Sequence, residues 1–149
     1  MGSEMCIRDR ANMNNAKIEI NFYLNNKKQN LLVNPSDRVS KVLREDLGLM
    51  GTKIGCNAGD CGSCTILVDD EPVCACLMTV AKAEKKNIQT IEGLSLNGLN
   101  SLQKSFLKYG AAQCGICTPG LLLTATALLK KNSTPSKKEV EEALSGVLC

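Results

Sequence analysis

Apolar and polar residues alternate along residues 17–24, with Ile18, Ile20, Phe22 and Leu24 on one face. A period of two predicts a half-buried strand. Asn25-Asn26-Lys27 supplies turn chemistry, and residues 30–33 read as the returning strand of a hairpin. Asn34-Pro35-Ser36-Asp37 marks a turn and a helix cap. Val39, Val42, Leu43 and Leu47 then recur at helical spacing, and Gly48 provides a C-terminal stop. Beyond a loop rich in glycine and cysteine, residues 65–68 form a short strand that Asp69-Asp70 turns toward Pro72-Val73. Residues 88–91 make a last strand, while 75–83 show no clear period.

The pattern changes after residue 92. Gly93 to Gly98 has the composition of a linker, and the residues beyond it have helical spacing. Leu99, Leu102, Phe106 and Leu107 predict one apolar face. Thr118-Pro119 is an N-cap followed by proline at the first helical position. Residues 121–129 are apolar nearly all round, which predicts a buried helix. Ser136-Lys137-Lys138-Glu139 is a capping box, with Val140, Ala143 and Leu144 as the buried side of its helix. Lys130, Lys131, Lys137 and Lys138 read as a solvated face. The fold class is therefore α+β, with a mixed unit at 16–92 and a helical unit at 93–149. Residues 1–15 have no periodicity, and Met5-Cys6-Ile7-Arg8-Asp9-Arg10 resembles a translated sequencing adapter. This segment is expected to be disordered and foreign, with Cys6 an incidental thiol and Met13 a candidate start.

Composition narrows the function. The 149 residues include no Trp, two Tyr and two Phe, so the cores are aliphatic and a bound metal would help hold them. The net charge of +3 comes without a basic stripe interleaved with aromatics, which argues against nucleic acid. No run of 18 apolar residues exists to span a membrane, and no signal peptide is visible. Nine cysteines without a secretion signal imply a reducing, cytoplasmic setting and metal thiolates in place of disulfides. The absence of histidine removes His-containing zinc sites, Rieske centres and catalytic dyads.

The cysteines carry the chemistry. Cys56, Cys61 and Cys64 form C-x4-C-x2-C, the plant-type [2Fe–2S] spacing, with Cys76 twelve positions beyond Cys64. Cys74 competes for the fourth place; Cys76 is preferred, and Cys74 reads as a small buried hydrophobe. Gly55, Gly59 and Gly62 suit a loop that wraps a cluster and turns its amides toward sulfur. A second group, Cys114-Gly115-Ile116-Cys117 with Cys149, sits at the start of the buried helix, whose dipole favours a thiolate. The alternatives are a structural zinc knot or, for Cys114 and Cys117, a redox dithiol. Zinc ribbons favour paired C-x2-C units, and no βαβ pattern surrounds the second pair. The order strand, strand, helix, cysteine loop is that of a ferredoxin-type β-grasp fold.

Several segments resemble the iron–sulfur subunit, or N-terminal iron–sulfur region, of the molybdenum hydroxylases: the xanthine dehydrogenase, aldehyde oxidoreductase and carbon monoxide dehydrogenase group. They are Gly51-Thr52-Lys53-Ile54-Gly55-Cys56 through Cys64, then Ala75-Cys76-Leu77, Ala112-Gln113-Cys114-Gly115-Ile116-Cys117-Thr118-Pro119-Gly120, and Glu142 through Cys149. The resemblance implies a β-grasp ferredoxin domain and a four-helix domain, each with one [2Fe–2S] cluster. It assigns Cys56, Cys61, Cys64 and Cys76 to one cluster, and Cys114, Cys117 and Cys149 to the other. It sets Gln113 near molybdopterin. Partners would be a molybdopterin-binding large subunit and an FAD-binding medium subunit, or their fused equivalents. Electrons would pass from molybdenum through both clusters toward FAD or another acceptor. The family continues past Cys149 with another cysteine and a helix, so the four-helix domain is expected to be incomplete here and the second site to lack its fourth ligand. A free ferredoxin carrier and a zinc-stabilised interaction module are the alternatives.

Overall fold

The computed structural model describes residues 16–149; the adapter-like segment and Cys6 lie outside the described residues. Strands β1 (Ile18–Leu24) and β2 (Lys27–Val33) form an antiparallel hairpin in which Leu24 pairs with Lys27. Asn25 and Asn26 adopt φ of 50° and 67°, the left-handed pair required by the tight hairpin turn whose twist matches the strands. Asp69 and Asp70, at 51° and 69°, make the same turn between β3 (Thr65–Val68) and β4 (Glu71–Cys74). The returning strand of the first hairpin begins at Lys27, earlier than its apolar pattern shows, because the turn fixes the register.

Strand β5 (Asn87–Gln89) completes a five-stranded sheet of order β2-β1-β5-β3-β4. It runs parallel to β1 and antiparallel to β3. Pro72 lies on the edge strand β4, where its missing N–H is tolerated.

The first helix is shorter than its spacing predicts. α1 (Val39–Lys41) passes into a wider turn over Val42–Asp46, closed by Leu47 N–H to the Val42 carbonyl at 3.0 Å. Arg38 occupies the cap position without a side-chain bond, and Asp37 pairs with Lys41 at 3.0 Å. Gly48, at φ 68°, ends the segment as expected.

Ile20, Phe22 and Leu24 from β1 pack with Val39, Val42, Leu43, Ile66, Val68 and Ile88 into one core. All four residues of β3 are buried, because the strand is covered on both sides. Ile66 and Val68 face that core, while Leu67 points the other way, onto Leu123 and Ala127. Each fully buried Leu or Ile contributes about 1.5–3 kcal/mol. β3 is therefore the wall shared by the sheet core and the helical unit.

Three α-helices follow among the described residues: α2 (Ser101–Lys108), α3 (Thr118–Lys131) and α4 (Lys137–Leu144). The capping box at Ser136 and Glu139 is present as predicted. The expected linker is partly structured, since Ile91–Ser95 forms a 3₁₀ turn. The predicted apolar face is only partly covered: Leu99, which precedes α2, and Leu107 are exposed, Leu102 and Phe106 are half-buried, and Gln103 is the buried residue of the helix. An Asn100–Gln103 capping box fixes the first turn so that Gln103 Nε2 donates to Ser95 Oγ at 2.7 Å. α3 buries Leu122, Leu123 and Ala127 but leaves Leu129 exposed, and Val140, Ala143 and Leu144 on α4 are only half-buried. The N-cap of α3 is Cys117, one residue before the expected Thr118. Lys130 and Lys131, though solvated, pair with Asp70 at 2.5 Å and Glu71 at 2.7 Å. No helix among the described residues is long and apolar enough to cross a membrane.

Candidate metal centre

The cysteine loop between α1 and β3 is held from both sides. Arg44 Nη1 donates to the carbonyls of Met50 (3.1 Å) and Thr52 (2.9 Å), and Gly51 N–H donates to Glu92 Oε1 at 2.8 Å. Arg38 Nη1 donates to the Asn57 carbonyl at 2.6 Å. Thus restrained, the loop turns its amides inward. Ala58, Asp60 and Cys61 N–H approach Cys56 Sγ at 3.3, 3.3 and 3.4 Å, and Cys56 N–H approaches Cys61 Sγ at 3.3 Å. Such donors stabilise negative sulfur. The Cys56 amide, then the Ser63 amide and hydroxyl, hold the Cys61 thiol down at about 6. Gly59 and Gly62 take positive φ (89° and 67°), whereas Gly55 is needed for space: a Cβ there would stand 2.7 Å from Cys61 Sγ.

Cys64 and Cys76 are both buried where β3 and β4 leave the loop. Burial pushes the Cys64 thiol up to about 12, with a further rise from the neighbouring Cys76 thiol. Cys74 is half-buried, and its Sγ lies 3.8 Å from the Gly59 carbonyl oxygen. It packs against the sheet core as a partly buried residue, and burial, then the neighbouring Cys76, raises its thiol.

Cys114, Cys117 and Cys149 also come together. Cys117 is buried at the N-cap of α3, and Cys114 and Cys149 are exposed. A side-chain hydrogen bond with Cys149, then burial, raises the Cys117 thiol, and Cys114 adds to the rise. The Thr118 hydroxyl beside them is buried without a partner, so an acceptor bound next to Cys117 would satisfy it. Gln113 is exposed on the loop before Cys114.

Packing that the cysteine spacings do not reveal brings the two groups close. Leu148 N–H donates to the Cys61 carbonyl at 2.9 Å, one residue before Cys149. Gly62 and Gly120 allow this approach: a Cβ on Gly62 would stand 2.2 Å from the Gly146 carbonyl oxygen.

The donor set can be tested against the metals. No three His, Cys, Asp or Glu side chains among the described residues gather as a single ion would need. Structural zinc takes four donors about 2.0–2.3 Å from one ion. A [2Fe–2S] group spreads four thiolates over two irons and takes hydrogen bonds at sulfur, which the inward amides fit.

Known proteins agree. A family described as "2Fe-2S iron-sulfur cluster binding domain" matches residues 22–94, and one described as "[2Fe-2S] binding domain" matches residues 90–149. The nicotinate dehydrogenase small FeS subunit of Eubacterium barkeri is 46% identical over 134 residues, covering 89% of this chain and 85% of that one. Quinoline 2-oxidoreductase from Pseudomonas putida 86 superposes with a TM-score of 0.87 at 47% identity, over 90% of this chain and 83% of that chain. The aldehyde oxidoreductase of Desulfovibrio gigas superposes at 0.82 with 39% identity, over 85% of this chain but only 14% of that much longer one. With its two [2Fe–2S]-binding domains in this order, the chain belongs to the family of iron–sulfur subunits and iron–sulfur regions of the molybdenum hydroxylases.

Proposed function

We propose that this chain is the electron relay of a molybdenum-dependent hydroxylase. One [2Fe–2S] group is held by Cys56, Cys61, Cys64 and Cys76. Cys114, Cys117 and Cys149 supply three thiolates of a second. The observation that carries this reading is the 2.9 Å hydrogen bond from Leu148 N–H to the Cys61 carbonyl. It connects a ligand of the first group to the residue beside a ligand of the second, through backbone bonds and one hydrogen bond.

A bound [2Fe–2S] group supplies reversible one-electron chemistry, with a potential set by charge, hydrogen bonds to sulfur and exposure. The chain's residues set those conditions. The Ala58, Asp60 and Cys61 amides favour added negative charge at Cys56, and Ser63 does so at Cys61. Burial of Cys64 and Cys76 keeps water from one side of the first group, while Cys56 remains exposed. The exposure of Gln113 beside Cys114 supports its facing the molybdopterin of a large-subunit partner. The exposed Cys56 side would then face an FAD-binding partner. Substrate selection would belong to the molybdenum-bearing partner.

The test is anaerobic reconstitution of the full chain, with iron and acid-labile sulfide counted and EPR recorded after dithionite reduction. About two irons and two sulfides per filled group are expected, with a rhombic signal from the first. Zinc without sulfide would overturn the proposal.

A further inference from the structure

The first thiolate group has a fifth cysteine beside it. Cys74 closes β4 opposite Thr65, and Ala75 N–H donates to the Cys64 carbonyl at 3.3 Å. Cys74 and Cys76 thus flank the residue bonded to Cys64, within a turn that Leu77 N–H closes by donating to the Cys74 carbonyl at 3.0 Å. Cys74 Sγ lies 3.8 Å from the Gly59 carbonyl oxygen, inside the span of the cysteine loop. It contacts the Cys64 thiol and lies within electrostatic reach of Cys76, Cys61 and Cys56. The strand side of Cys74 also lines a cleft of about 180 Å³ shared with Thr124 and Val147, which leaves room for rotation. Cys76, by contrast, is 1% exposed and closely packed.

We infer that Cys74 is a reserve ligand, able to take the place of Cys76 on the first [2Fe–2S] group. The inference rests on the proposed function above. The exchange balances without an oxidant or reductant: Cys74 gives up its proton, the iron–sulfur bond to Cys76 breaks, a bond to Cys74 forms, and the Cys76 sulfur takes a proton. One thiolate replaces another, so the charge of the group is unchanged. Its use would be retention: where the bond to Cys76 is lost, the group is kept with altered properties.

The experiment compares wild type, C74A, C76A and C74A/C76A, each as the full chain reconstituted anaerobically. Iron, sulfide, EPR g-values and reduction potential are measured, and far-UV circular dichroism checks the sheet. C74A is expected to match wild type in iron and sulfide. C76A should keep the first group with shifted g-values and potential, and the double variant should lose it. Iodoacetamide mapping should find Cys74 labelled in loaded wild type and protected in loaded C76A. If the alanine at buried position 76 unfolds the sheet, C76S against C74A/C76S makes the same comparison. Sulfur ligation in the first and oxygen ligation or loss in the second support the inference, and identical spectra overturn it. Loss of the first group from a folded C76A also overturns it alone. Wild type without iron and sulfide would instead overturn the assignment of the first group, and this inference with it.

Discussion

Gly120 stands so close to Gly62 that a Cβ on it would lie 2.6 Å from the Gly62 carbonyl oxygen. That oxygen is already bonded to the Thr65 amide and hydroxyl, so it cannot easily withdraw. Gly120→Ala gains up to about 1 kcal/mol of helix propensity, but overpacking costs about 1–3 kcal/mol. The variant is expected to be less stable and to loosen the Leu148–Cys61 contact. A urea titration checks the first effect, and amide hydrogen exchange at Leu148 the second.

The wall between the two units makes its own prediction. Leu67 and Leu123 are each 1% exposed and meet across β3 and α3. Leu123→Ala should cost about 2–5 kcal/mol, read as a drop in the urea midpoint. Leu129→Ala on the exposed side of the same helix should change it little, because no comparable burial is lost.

Thiol reactivity of the metal-free chain should be strongly uneven. The Cys61 thiol titrates at about 6, below the ordinary thiol value of 9.0, and Cys64 at about 12. Iodoacetamide should label Cys61 with a half-rise near pH 6 and leave Cys64 untouched through pH 9, as mapped by mass spectrometry. A folded-state value below the unfolded one adds stability that is fully present above about pH 9 and is lost as pH falls toward 6. The metal-free protein should therefore gain stability from Cys61 across that window.

The ion pairs Lys130–Asp70 and Lys131–Glu71 tie the end of α3 to the second hairpin, yet all four side chains are largely exposed. Exposed pairs of this kind contribute about 0–1 kcal/mol each. The K130A/K131A variant is expected to melt only slightly below wild type at low salt, and the difference should vanish near 1 M salt as screening shortens to about 3 Å.

The sheet was legible because its turns are spelled out: Asn25-Asn26 and Asp69-Asp70 both take the left-handed pair that short hairpins require. Thr65–Val68 was legible as an apolar run, though not the reason all four residues are buried, which needs a helix on its far side. Local spacing misjudged α1, where the Leu47–Val42 bond widens the turn. It also misjudged α2, where a polar capping residue, Gln103, takes the buried position. At the site, cysteine spacing pointed to two groups of thiols. It could not show that Leu148 reaches Cys61, or that Cys74 Sγ reaches the Gly59 carbonyl, since both depend on where distant segments pack.

Asn25 and Thr90, 65 positions apart, clasp each other: Thr90 N–H donates to Asn25 Oδ1 at 2.9 Å, and Asn25 Nδ2 to Thr90 Oγ1 at 3.0 Å. Every ligand proposed for the first thiolate group lies within the loop this clasp closes. On the ribosome, Cys56, Cys61, Cys64 and Cys76 all emerge before their scaffold can exist. Closure over such separations is slow compared with making a local turn. The chain thus passes through an interval in which several thiols are present and no cradle is. On the proposed assignment, metal insertion would have to wait for the last strand of the sheet, and a cell making this protein would have to keep those thiols reduced until then.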